Sequence, residues 1–332
     1  MTRRIAVMTA DEDVPGMNAA IRGVARMALE QGWQVMGVCA DDDGQVDSKF
    51  IDLTARTVEG ISQWSGSLLE SISSSEIESE GGSRIALRHF ASAQIDALIV
   101  IGGAHAQASA AALDKTGFPV NTVVASMEND VAGFDTALGV DTGINAALDT
   151  IDRLKMSPFT DNATFIVEVV GRVCGYSALT TGILVGADAV IVPEVVVTPD
   201  QIALTLRGVY EQAGAHPLII VAEGVTYNAH RLHNHFAKGE HTGHSAREAL
   251  IAHVQRRAAP SAFDRMIGIK VGMSAVEALA RGEHGRAFGW RRSEVSALPL
   301  ADVVGKTRAL DEDLMRLASL LSLADSSMAQ TH

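Results

Sequence analysis

Short apolar runs, each closed by glycine or a polar turn and followed by a helical pattern, restrict this chain more than any other feature. The runs are Arg4–Thr9 (RIAVMT), Gln34–Ala40 (QVMGVCA), Ala97–Ile101 (ALIVI), Thr122–Ala125, Phe165–Val170 (FIVEVV), Ala189–Val192 and Leu218–Ala222 (LIIVA). They are apolar throughout rather than alternating, as strands covered on both faces are. Between them, Met17–Gln31, Ser83–Ala93, Gly143–Lys155 and Pro199–Gly214 show helical spacing. Strand–helix alternation of this kind predicts a parallel, doubly wound α/β sheet. Ligands of such sheets bind where the carboxyl ends of strands meet the next helix. The turns to inspect are therefore Ala10–Asn18, Gly102–Gln107, Ala125–Asp130 and Val170–Gly175, whose backbone N–H groups are natural anion seats.

With 332 residues, 47% of them hydrophobic, the chain can bury a sizeable core in one large or two medium domains. A formal charge of -13 argues against nucleic acid or an anionic membrane as partner, although a local basic pocket for a small anion stays open. The two cysteines, Cys39 and Cys174, make no disulfide framework, which suggests a reducing compartment. The N-terminus is basic and then only briefly apolar, and no apolar run approaches a bilayer-spanning length. A soluble, cytoplasmic protein is expected. Ser62–Ser83 is serine-rich and acidic and reads as a surface loop or short helix, and Ala324–His332 reads as a frayed tail.

The run PGMNAAIRG (Pro15–Gly23), after a strand and a turn, resembles the N-terminal signature of the ATP- and pyrophosphate-dependent 6-phosphofructokinases. The resemblance continues in register through IDALIVIGG (Ile95–Gly103), MENDVAGFD (Met127–Asp135), DTGINAALDTIDRL, VEVVGRVCGYSAL (Val167–Leu179), GADAVIVPE (Gly186–Glu194), AEG (Ala222–Gly224) and HVQRRAAPSAFDR (His253–Arg265), to a GKTRALDEDL tail. It implies two doubly wound, three-layer α/β/α domains with mainly parallel sheets. Residues 1–140 plus 256–300 would form the donor-side domain, and 141–255 plus 301–332 the sugar-phosphate side. The activity implied is phosphoryl transfer to the 1-hydroxyl of fructose 6-phosphate, in a subunit that usually assembles as a tetramer.

Against that family pattern the donor side departs. The family's first loop reads G-G-D before PGMN, whereas this chain has Asp11-Glu12-Asp13. The second loop reads G-G-D-G-S, its aspartate serving Mg²⁺, and here it is Gly102-Gly103-Ala104-His105-Ala106, without the metal carboxylate. A pyrophosphate-dependent relative would carry an aspartate in place of His105. Ser73 and Glu78 fall where the family has donor-binding arginines, so one position inverts a charge. A rearranged donor site using other residues is the alternative.

The acceptor side is better kept. The family's T-I-D-N-D run becomes Ser126-Met127-Glu128-Asn129-Asp130, which puts Glu128 at the general-base position and keeps Ser126 as a hydroxyl. Gly171 and Arg172 persist, Glu223 matches the sugar-contacting glutamate, and His253 and Arg256 match the pair that grips the 6-phosphate. One of two further phosphate arginines is lost at Ala163, and the other corresponds to Arg247. Solvated surface charge is the competing reading for Arg172 and Arg256. An effector site for a nucleotide or phosphoenolpyruvate would draw on Arg22, Arg26, Lys155, Asp188 and His216, or these are interface surface charges.

His230, His233, His235, His241 and His244 read as a polar loop rather than a metal site, and Cys174 as a packed thiol rather than a nucleophile. The sum favours a catalytically impaired or inactive homologue that binds a small phosphorylated metabolite and acts in a homodimer or homotetramer, or beside an active homologue. The alternative is a working 6-phosphofructokinase with Glu128 as base and a non-standard donor site. Mg²⁺ and ATP are expected only on that alternative, and no resident metal or other cofactor is expected.

Overall fold

The structure, a computed structural model, describes residues 2–40, 46–156, 163–213, 217–236 and 245–321. His216, His241, His244 and the 324–332 tail lie outside the described residues. In chain order the first elements are β1 (Arg4–Thr9), α1 (Met17–Glu30), β2 (Gln34–Ala40), β3 (Val46–Asp52), α2 (Glu80–Ser92), β4 (Ala97–Gly102), α3 (Ala104–Asp114), β5 (Val120–Val124) and α4 (Val140–Met156). Then come β6 (Thr164–Val169), α5 (Tyr176–Val185), β7 (Ala189–Ile191), α6 (Pro199–Ala213), β8 (Leu218–Ala222), α7 (Ala229–Phe236), β9 (Ala246–Leu250) and α8 (Ala252–Arg256). The last are α9 (Ala262–Ala280), β10 (Arg286–Arg291), β11 (Glu294–Pro299), α10 (Leu300–Val303) and α11 (Glu312–Leu321).

The chain divides into two compact units, residues 1–142 with 256–308, and residues 143–255 with 309–332. In the first, a seven-stranded sheet has the order β11-β10-β5-β4-β1-β2-β3. Its centre is parallel, and antiparallel strands β3 and β11 close the two edges. Residues Ile5–Met8 and Ala97–Ile101 are fully buried, as continuous apolar strands with helices on both faces should be. The second unit has a four-stranded, wholly parallel sheet in the order β7-β8-β6-β9. One of its faces buries Val167, Val169, Ile220 and Ala222 under Ala147, Ile151 and Ala178, and the other packs Ile166, Ile219 and Val221 on Ile202, Leu206 and Phe236.

The α/β class expected from the strand pattern is the fold observed. The expected helix at Ser83 starts earlier, because Ser79 caps α2 by accepting the Gly82 N–H at 3.0 Å. Two expectations need correction. Ser62–Ser83 does hold short helical pieces, a 3-10 turn at Ser74–Glu76 and the start of α2, but it is not purely surface: Leu69, Ile72 and Ser74 are buried, and Asn18 stitches the segment to α1 by accepting from Leu68 N at 2.7 Å and donating to Gly66 O at 3.0 Å. Serines there meet backbone, Ser67 Oγ accepting the Leu69 N–H at 3.1 Å and Ser83 Oγ donating to Ile77 O at 2.5 Å, and carboxylates, Ser71 on Asp13 and Ser74 on Asp11. His230, His233 and His235 lie on helix α7, not in a loop, with Leu232 and Phe236 buried on its inner face. Helix α9 and the β10–β11 hairpin were not anticipated at all. Helix α9 buries one face, Ile267, Gly268, Val271, Gly272, Ala275 and Val276, but apolar Phe263 and Met266 are exposed and Asp264 is buried, so polarity does not follow burial along it.

Candidate active site

In the first unit the turn after β1 meets the start of α3. Ala10 N donates to Ile101 O at 3.0 Å, and Gly102 has no room for a side chain, since a Cβ would lie 2.8 Å from Ala10 O. Asp11 follows with a left-handed backbone, φ 70°. Its N–H donates to Ile72 O at 2.8 Å, and its carboxylate accepts the Ser74 hydroxyl at 2.5 Å and the Ala106 N–H, in the first turn of α3, at 3.1 Å. Burial pushes the Asp11 carboxyl above its ordinary value, while the Ser74 hydrogen bond, nearby His105 and the Ala106 N–H pull it back. His105 Nδ1 sits 3.0 Å from Glu78 Oε1, and Asp13 accepts the Ser71 hydroxyl at 2.7 Å. Ser73 precedes a short 3-10 turn, its hydroxyl 3.4 Å from that of Ser75.

Those residues do not fit magnesium-bound ATP at these two loops. Ala104 offers no ligand, His105 is engaged by Glu78, and the helix-start N–H of Ala106 already holds a carboxylate.

The turn from Ser126 to Asp130 is built with more internal support than the sequence discloses. Ser126 Oγ donates to Asp130 Oδ1 at 2.5 Å and accepts the Glu128 N–H at 3.3 Å. Asn129, left-handed at φ 56°, donates to Asp135 O at 3.1 Å and accepts from Ala137 N at 2.8 Å. Arg308 donates its backbone N–H to Asp130 O at 2.8 Å and its guanidinium to Phe134 O and Asp135 O at 2.8 and 2.7 Å. Just beyond, the buried Asp264 carboxylate caps the start of α4, accepting from Gly139 N and Thr142 N, each at 2.8 Å, and from the Thr142 hydroxyl. Burial holds its carboxyl above the ordinary range against those three donors. Arg256, on α8 three residues after His253, places Nε 3.1 Å from Glu12 Oε2.

In the second unit, Gly171 (φ 150°) and Arg172 follow β6, and Glu223 follows β8. The two turns lock together: Gly224 N donates to Gly171 O at 3.0 Å, and a Cβ on Gly224 would lie 2.0 Å from Arg172 O. This places Arg172 Nε 3.2 Å from Glu223 Oε1, the carboxylate largely buried and the guanidinium half exposed. Gln255, buried, accepts from Val170 N at 2.9 Å and donates to Gly143 O at 3.0 Å. Burial raises the Glu168 carboxyl, the Ala229 N–H opposing and the like charges of Glu223 and Glu248 adding to it. Arg247 is exposed on the edge strand β9, His253 is exposed on α8, and Ala163 is buried.

Of the effector candidates, Arg22 and Arg26 lie on α1 in the first unit. In the second unit Lys155 Nζ donates to Val185 O, and Asp188 accepts the Leu218 N–H at 2.8 Å, so both engage their own fold. Cys174 is fully buried. Among the described residues no group of three or more His, Cys, Asp or Glu is arranged to hold a metal, and no helix is long and apolar enough to cross a membrane. Sequence reasoning passed over Asp264, Gln255, Arg308 and Ser74. One of them had a signal, since Ser261-x-x-Asp264 has the capping-box sequence; Ser261 Oγ accepts the Asp264 N–H at 3.2 Å, while the Asp264 carboxylate turns to α4 instead of back to Ser261 N.

Parallel strand ends meeting helix starts, with a carboxylate turn in one unit and an arginine–glutamate turn in the other, make a doubly wound α/β protein of the kind that handles phosphorylated small molecules. The family model described as Phosphofructokinase matches residues 4–279. A Listeria welshimeri protein named ATP-dependent 6-phosphofructokinase is 36% identical over 323 residues, 97% of this chain and 100% of its own length. A Thermotoga neapolitana protein of the same name is 34% identical over 321 residues, 96% of this chain and 100% of its own. Among solved structures, Pichia pastoris phosphofructokinase in the T-state matches 99% of this chain with a TM-score of 0.85 at 25% identity, though this chain spans only 38% of that one. A pyrophosphate-dependent phosphofructokinase from Marinobacter aquaeolei shares the fold, with a TM-score of 0.80 at 18% identity, over 97% of this chain and 92% of its own. The chain belongs to the phosphofructokinase family. Its full-length similarity to proteins named as enzymes favours the catalytic alternative over a non-catalytic one.

Proposed function

We propose that this chain binds a fructose 6-phosphate-like sugar phosphate and transfers a phosphoryl group to it slowly, with Glu128 as general base and a non-standard donor site. The observation that carries the reading is the Ser126–Asp130 turn, in which Ser126, Asn129 and Arg308 fix the backbone beneath Glu128. A base must stand within hydrogen-bond reach of the hydroxyl it deprotonates, and a braced turn supplies that constancy. The resemblance to the family nominates Arg172, Glu223, Arg247, His253 and Arg256 as sugar-phosphate contacts, cations and an acceptor of the kind phosphate and hydroxyls require. Purified chain given fructose 6-phosphate, with ATP and pyrophosphate each tried, should form the bisphosphate at a rate that Glu128→Gln lowers at least ~100-fold.

A second reading is a non-catalytic subunit that binds a phosphorylated metabolite and regulates a homo-oligomer or an active homologue. The Asp11 carboxylate on the Ala106 N–H favours it, because that N–H belongs to the loop that cradles the donor in the family pattern. It predicts sugar-phosphate binding by calorimetry with no turnover from either donor. Both readings place the protein in the cytoplasm, and the effector residues Arg22, Arg26, Lys155, Asp188 and His216 would serve either.

A further inference from the structure

Three consecutive acids follow β1, and each engages a different group of the first unit. Asp11 accepts the Ala106 N–H at 3.1 Å and the Ser74 hydroxyl at 2.5 Å. Glu12 holds Arg256, Oε2 to Nε 3.1 Å, and Asp13 accepts the Ser71 hydroxyl at 2.7 Å. A helix-start N–H, a guanidinium and two hydroxyls are the donors that phosphate oxygens seek. Here carboxylates have them. Moreover, Asp11 keeps a left-handed backbone, φ 70°, which persists in a non-glycine residue only where the surroundings enforce it. The Ile72 carbonyl takes its N–H at 2.8 Å and the two side-chain contacts fix its head, so the turn is tied down at both ends.

We propose that the Asp11–Asp13 turn is an internal phosphate surrogate, an autoinhibitory contact whose carboxylates hold the α3 N-terminal N–H and the Arg256 guanidinium against incoming ligand. A phosphoanhydride must displace Asp11, and a sugar phosphate must displace Glu12. The inference rests on the functional reading above only in assigning those two donors to phosphorylated ligands. Like charge between the acids and the ligand adds to the competition. Losing Asp11's negative charge therefore helps an anion even where the new side chain keeps some of the old hydrogen bonds.

The test is calorimetry on the full chain, with inorganic pyrophosphate and fructose 6-phosphate as probes. Asp11→Asn and Asp11→Gly both accept the left-handed backbone, and Asp11→Asn can still accept from Ser74. Pyrophosphate should bind at least tenfold tighter to both than to the parent chain. Fructose 6-phosphate should bind at least tenfold tighter to Glu12→Gln, and adding Arg256→Ala should remove that gain. Thermal melting establishes that each variant is folded, and should both Asp11 variants fail it, the Glu12→Gln arm decides. Folded variants that bind their probes no tighter than the parent overturn the inference. Tighter binding without any turnover upholds it while defeating the catalytic reading, so the two failures are told apart.

Discussion

At the scale of single residues, the account turns on carboxylates. Glu128 is longer than the aspartate of the family pattern by one methylene, so its oxygen reaches further from a backbone that the turn holds still. Glu128→Asp, measured by steady-state kinetics with fructose 6-phosphate, should keep or raise kcat, whereas Glu128→Gln should remove it with little change in sugar-phosphate affinity. An equal loss in both variants would mean that the side chain is structural. Asp264 is a different kind of acid: buried, accepting three donors and touching no proposed ligand. Asp264→Ala leaves buried N–H groups without acceptors and should cost about 3 kcal/mol in urea unfolding. Motif spacing nominated Glu128, Arg172, Glu223 and Arg256, and the structure sets Arg172 against Glu223. The Glu12–Arg256 pair was not legible in the sequence, since it joins residues 244 positions apart and no local pattern encodes it.

At the scale of elements, helices α1 and α9 approach so closely that glycine is required on both. A Cβ on Gly23 would lie 2.4 Å from Ile269 O, and one on Gly272 would lie 2.5 Å from Ala20 O. Gly272→Ala should therefore lower stability by about 1–3 kcal/mol, seen as a shift of the urea midpoint at constant slope. An unchanged midpoint would show that the helices can part without cost. Strands β1, β2 and β8 were read from sequence to the residue, because short, mainly apolar runs bounded by turns have few other uses. Helix α9 was hidden: its exposed side carries Phe263 and Met266 and its buried side carries Asp264 and two glycines, so polarity along the sequence does not trace the helical period. Strand β9, reading AREAL, was hidden because an edge strand keeps charged residues on its open face.

At the scale of the whole molecule, burial raises the carboxyls of Asp11, Glu168, Asp188 and Asp264 above their ordinary values. A carboxyl raised in the fold binds its proton more tightly folded than unfolded. Its favourable contribution is complete below the unfolded value, about 4, and is lost as pH climbs through the folded value. The formal charge of -13 pushes the same way through self-repulsion. The urea midpoint should thus fall between pH 5 and pH 8, and a midpoint rising over that range would contradict the burial assignment. The α/β class was legible at this scale because alternation of strand and helix leaves few other arrangements. The state of the donor loops was not, because loss of family glycines and an aspartate says what has gone, not that Asp11 would take the Ala106 N–H. The most direct measurement is phosphoryl transfer to fructose 6-phosphate by the purified chain, with ATP and pyrophosphate tried separately. Slow bisphosphate formation that disappears in Glu128→Gln is the result expected. No product from either donor at saturating sugar phosphate, or product formed equally fast without the Glu128 carboxylate, would contradict it.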